Sequence, residues 1–138
     1  MIINIQRLIT FFKKHPKQLF FVDGLGALLT FLSLSVILPL LHNEIGLPIK
    51  ILYYLSAIAF GFLLYSMSCY FINSNRWRIL LRIIAIANLT YCFITIGLLF
   101  SYYNDLTIWG LLYFSGEILV ILVLVIIELI VANTKTFL

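Results

Sequence analysis

Two glutamates, Glu117 and Glu128, interrupt the apolar stretch YFSGEILVILVLVIIELIVANTK over residues 113–135. Eleven residues separate them, about 16 Å along a helix axis, and eleven steps of about 100° return to within about 20° of the starting direction. Both carboxyls therefore leave one helical face at two depths. An acidic side chain inside lipid can relay a proton or mark an ion pathway. In its neutral form it can instead hydrogen-bond a neighbouring helix or one from a partner.

Other residues with chemical potential do not converge. Cys69 and Cys92 fall on different helices, at depths expected to differ by more than about 10 Å, whereas a disulfide needs Cα atoms within about 7 Å. No CxxC motif is present, and His15 and His42 lie on opposite sides of the membrane by the topology below, so neither a disulfide nor a metal site is expected. Asn88-Leu89-Thr90 matches a glycosylation acceptor but sits inside a spanning helix. Gly24-Leu25-Gly26 lacks the third glycine and the strand-to-helix context of a dinucleotide site. With no Ser-His-Asp set, HExxH motif or phosphate-binding loop, the chain is expected to carry no cofactor.

The elements that position these residues follow from composition. Of 138 residues, 64% are apolar and 10% charged, with a mean hydropathy of +1.16, which excludes a soluble globular domain. A hydrocarbon core about 30 Å thick requires about 20 apolar residues per helix. Four runs meet that length: 19–41, 51–72, 83–103 and 106–132. Polar or turn-forming residues divide them, at His42 to Pro48, at Asn73-Ser74-Asn75 and at Asn104-Asp105. The last run is rich in Val and Ile, yet it is too long for one strand and shows no alternation; in lipid, the backbone must satisfy itself, which selects helix.

Orientation follows from the nine Lys and Arg residues. Arg7, Lys13, Lys14, Lys17, Arg76, Arg78, Arg82 and Lys135 fall on one side of a four-span chain, and only Lys50 falls on the other. Cytoplasmic loops collect these residues, so both termini are expected in the cytoplasm. The pI near 9.2 then reports topology and anionic headgroups, not nucleic acid. In the first 18 residues, Ile2, Ile5, Leu8, Ile9 and Phe12 recur at helical spacing beside Arg7, Lys13 and Lys14, with Pro16 ending the pattern. This predicts a short helix on the cytoplasmic surface. A cleavable signal is not expected, because the following run is 23 residues long and no A-x-A-like site follows it.

The expected fold is therefore all-α: an integral-membrane four-helix bundle, with a basic amphipathic segment over 1–18, spans over 19–41, 51–72, 79–103 and 106–132, and a cytoplasmic tail over 133–138. Short loops make consecutive helices antiparallel, so residues equidistant from a turn share a depth. That places Arg82 level with Glu128, and Asp23 level with Ser68 and Cys69. Asp23, Arg82 and Glu128 are expected to form a cytoplasmic charge belt, with Glu128 answering Arg82 and Asp23 favoured by the first turn of its helix. Glu117 falls near the midplane, level with Tyr91, Cys92 and Thr95, with Asn88 about two turns lower and nothing basic at its depth. Hydrocarbon favours the neutral form of that carboxyl, bonded to a Tyr or Thr hydroxyl. Glu117, Tyr91, Thr95 and Asn88 make up the candidate intramembrane site. Gly24, Gly26 and Ala27, like Ala57 and Gly61, permit close helix packing.

Two segments, VDGLGALL at 22–29 and IAIANLTYC at 84–92, resemble a group of small four-span bacterial membrane proteins to which no activity is attached. The resemblance implies fold and a place in the cell membrane, the inner membrane in a bacterium, and no functional residue. With almost no mass outside the bilayer, the chain is expected to be a non-enzymatic membrane component that self-associates or packs against a membrane partner. The alternative is a small proton- or ion-coupled transporter or channel using Glu117; a lipid-acting enzyme ranks last, because the polar groups are spread over several depths. The feature that separates the first two is room, and a four-helix bundle is expected to close tightly around its side chains.

Overall fold

A computed structural model describes residues 2–72 and 75–133. Asn73 and Ser74 of the second turn, the tail beyond Asn133 with its Lys135, and the side chains of residues 2–5 and of His42 lie outside the described set. Every element described is helical: α1 (Ile2–Lys14), α2 (Lys17–Leu32), a π-helical turn (Ser33–Ile37), α3 (Leu38–Leu40), α4 (His42–Ile45), α5 (Ile49–Ile72), α6 (Trp77–Ser101) and α7 (Ile108–Asn133).

Four helical stretches are long and apolar enough to cross a membrane: Lys17–Leu40, Ile49–Ile72, Trp77–Ser101 and Ile108–Asn133. Each agrees with an expected span to within two residues at either end. α1 stops at His15 and Pro16, where the pyrrolidine ring disfavours helix in the residue before it. Lys13 and Lys14 occupy its last turn, where their charge suits the helix dipole.

The first span is not a uniform α-helix. Leu38 N–H bonds the carbonyl of Ser33, five residues back, in the π turn just ahead of Pro39. Pro39 has no N–H to give the Ser35 carbonyl, and its ring crowds that oxygen in a regular α-helix, so a wider turn relieves the clash. Ser35 Oγ donates to the Phe31 carbonyl at 2.6 Å, drawing the side chain onto its own helix.

The four spans pack as two pairs. α2 lies along α5 and α6 along α7, while α5 and α6 meet over a shorter stretch and α2 and α7 scarcely touch. Two apolar cores hold the ends. One gathers Phe12, Phe20, Leu81, Ile84 and Val131; the other gathers Leu34, Leu38, Leu52, Leu55 and Phe114. Phe12 in the first core ties α1 to the bundle.

At the opposite end the loop before α5 and the loop before α7 lock together. Thr107 N–H donates to the Ile45 carbonyl at 3.1 Å, its hydroxyl bonds the Glu44 carbonyl, and its Oγ1 accepts the Gly110 N–H at 3.2 Å as the N-cap of α7. Gly46 has φ +94°, and a Cβ there would overlap the Asp105 carbonyl, so that turn requires glycine twice over.

Candidate functional site

Each spanning helix contributes one polar side chain to a buried network. Asn88 of α6 donates its amide to Asp23 Oδ1 of α2 at 2.9 Å and to Glu128 Oε1 of α7 at 3.5 Å. Ser66 of α5 donates to Asp23 Oδ2 at 2.6 Å. Asp23 is 3% exposed and Glu128 0%, and Glu128 Oε2 has no hydrogen-bond partner. A polar group in such a place is expensive unless bonded, so two carboxyls sharing one amide leave the network only partly satisfied.

This differs from the expected charge belt in three ways. Arg82 does not answer Glu128; it is exposed, with Nε on Asn133 Oδ1 at 3.0 Å and Nη2 on the Ala132 carbonyl at 3.3 Å. A long cationic side chain reaches outward and meets the carbonyl end of α7, where its charge is favoured. Asp23 sits opposite Ser66, about two residues from the Ser68 and Cys69 level expected from loop counting. Because α2 begins at Lys17, Asp23 also lies in the second turn, past the reach of the helix dipole, and its burial rules out snorkelling.

Glu117 has different company. Tyr91 donates to its Oε1 at 2.6 Å, while Oε2 is buried without a hydrogen-bond partner. The Tyr113 hydroxyl is a second neighbour of this carboxyl, and Ser33 of the π turn bonds Tyr113 in turn. The Cys92 thiol also lies within its field. Thr95, expected as a direct partner, is buried and donates instead to the Tyr91 carbonyl on its own helix at 2.9 Å. Asn88, expected about two turns below Glu117 and grouped with it in one site, hydrogen-bonds within the Asp23–Glu128 network. Ser66 and Tyr113 were not anticipated. Tyr113 had a usable signal, since it stands four residues before Glu117 and shares its face.

Asp23, Asn88, Tyr91 and Glu117 all open on one cavity of about 360 Å³ between α2 and α7. Gly26 and Gly116 line its walls, and an added Cβ at either meets nothing within 4 Å. At its mouth stand Leu29, 67% exposed, and Val120, 68% exposed. The expectation of a tightly closed bundle therefore does not hold. Pairing α2 with α5 and α6 with α7 leaves the remaining seam unfilled, and small residues on both walls keep it open. No Lys, Arg or His lines the cavity, whose ionisable groups are two carboxyls and two phenols. Such a set can accept a proton or hold a positive charge in an otherwise apolar surrounding. A scan against protein-family models, and searches of curated proteins and of solved structures, found no match for this chain.

Proposed function

We propose that this chain is a small multi-pass protein of the cell membrane that acts as a proton- or ion-coupled carrier, with Glu117 taking up and releasing the charge. One observation carries the reading: two acids, Asp23 buried and Glu117 half-buried, share a cleft that contains no basic side chain. A bundle built only to pack would close such a seam, and a single acid serving as interhelical glue needs no cavity beside it. In this reading both termini and the basic loop at Arg76, Arg78 and Arg82 face the cytoplasm, and α1 lies along that surface with Phe12 as its anchor. The protein performs no covalent chemistry.

A second reading has the cleft receive a helix from another copy or from a membrane partner, and the small residues Gly26 and Gly116 favour it. Infrared difference spectroscopy across pH on reconstituted protein separates the two. The groups facing Glu117 are Tyr91 and Cys92 of α6, Tyr113 of α7 and, across the cleft, Asp23 of α2. A carrier shows a carboxyl titration that disappears in Glu117→Gln while the protein still folds. Identical spectra for the two proteins would end the carrier reading and leave Glu117 as packing.

A further inference from the structure

We propose that the cleft binds a lipophilic ammonium ion, an amine-bearing amphiphile that enters sideways from the bilayer between α2 and α7. This deepens the carrier reading by naming the class of its cargo.

Charge comes first. The cavity presents Asp23 and Glu117 and no basic residue, so it offers an anion no counter-charge and gives a neutral amphiphile no electrostatic reason to enter, whereas a cation can pair with either acid once it ionises. Hydrogen bonding comes second. Glu117 Oε1 already accepts from Tyr91, while Oε2 is buried and still has acceptor capacity. An alkylammonium group carries up to three N–H donors and no acceptor, so it complements that oxygen, whereas a quaternary ammonium has no donor to give.

The choice of an organic cation over a divalent metal ion follows from the oxygen count. Hard divalent ions take about six to eight oxygen ligands. Around Glu117 the cavity offers that carboxyl and the hydroxyls of Tyr91 and Tyr113, and among the described residues no cluster of three metal-ligating His, Cys, Asp or Glu side chains exists. An ammonium needs less coordination and gains from aromatic rings, which Phe62 of α5, Tyr91 of α6 and Tyr113 of α7 supply in the cavity lining.

Shape comes last. About 360 Å³ falls within the range of small-molecule sites, and the open walls at Gly26 and Gly116 leave space for a hydrocarbon body beside the charged head. The mouth lies between helices long enough to span, so a ligand dissolved in lipid reaches it without crossing water.

The test uses the full chain in lipid nanodiscs and a fluorescent probe, 1-naphthylmethylammonium, with neutral 1-naphthalenemethanol as control and empty nanodiscs as reference. The expected result is saturable, stoichiometric binding of the ammonium above its partition into empty nanodiscs. Glu117→Gln should weaken it at least tenfold, and Gly116→Leu should weaken it comparably by filling the cleft with Glu117 intact. Ammonium fluorescence no different from empty nanodiscs overturns the proposal. So does equal saturable binding of the neutral alcohol, which would mark an apolar lipid site, or full binding by both variants. The outcome is separable from the carrier reading. A titrating Glu117 without ammonium binding leaves a proton carrier with no such cargo, and ammonium binding without a Glu117 titration leaves the site but removes the proton coupling.

Discussion

Asn88 shares its amide between two buried acids on different helices, and its loss affects both. Asn88→Leu keeps the volume but strands Asp23 Oδ1 and Glu128 Oε1. A buried group left unsatisfied costs about 1–3 kcal/mol, so thermal unfolding in detergent should show a loss on that scale for each acid. A variant as stable as wild type would mean that the acids find other donors. Arg82 and Glu128 present the opposite case. Loop counting pairs them, which predicts that Glu128→Gln rescues Arg82→Ala; their observed partners differ, so the two changes should add within about 0.5 kcal/mol. A double variant more stable than Arg82→Ala alone would restore the pairing. The Tyr91–Glu117 bond was within reach of sequence reasoning because helix rise fixes depth, and an intramembrane acid needs a donor at its own depth. What rise cannot fix is azimuth, and this is why Arg82 and Thr95 have partners other than those expected.

The spanning helices were legible for the same reason that their facing was not. Apolar length marks a span whatever its neighbours are, so all four were found. A helix that is apolar all round carries no stripe to show which side meets protein and which meets lipid. Hence the open seam between α2 and α7 left no mark in hydropathy, and it is buried polar residues such as Asp23, Asn88 and Glu128 that indicate an inward face. The π turn was missed because Pro39 was read simply as part of an apolar run, although a proline inside a span requires some adjustment in the turn before it. The locked loops before α5 and α7 depend on a backbone feature that can be tested. Gly46→Ala puts a Cβ against the Asp105 carbonyl at a positive φ, where a left-handed conformation alone costs about 1–2 kcal/mol. Gly61→Ala, in α5 with nothing within 4 Å of the added carbon, is the control and should leave stability unchanged or slightly improved. Equal melting of the two variants would show that the contact between these loops contributes nothing to stability.

Taken as one molecule, the chain separates its charges by role. Three of its five acids, Asp23, Glu117 and Glu128, lie within spanning helices, while Glu44 and Asp105 share one end of the bundle with Lys50. The other basic residues of the described set precede α2 and α6 or fall within their first two turns, at the opposite end. Basic residues near the ends of spans resist translocation, whereas acids contribute little to orientation, so the proposed topology rests on this asymmetry and not on the acids inside the helices. Accordingly, a reporter that works only in the cytoplasm, fused after Leu138, should be active in cells, and a membrane-impermeant thiol reagent should label Asn43→Cys from outside in a background with Cys69 and Cys92 replaced by Ala. Adding positive charge to the outer loop, as in Glu44→Lys with Asp105→Lys, should begin to mix the two orientations, giving partial labelling and weaker reporter signal. An inactive reporter with Asn43→Cys protected would invert the topology. The mouth of the cleft would remain within the bilayer, but Asp23, Asn88 and Glu128 would then lie toward the outside of the cell, and a charge taken up at Glu117 would meet them on its way out instead of on its way in.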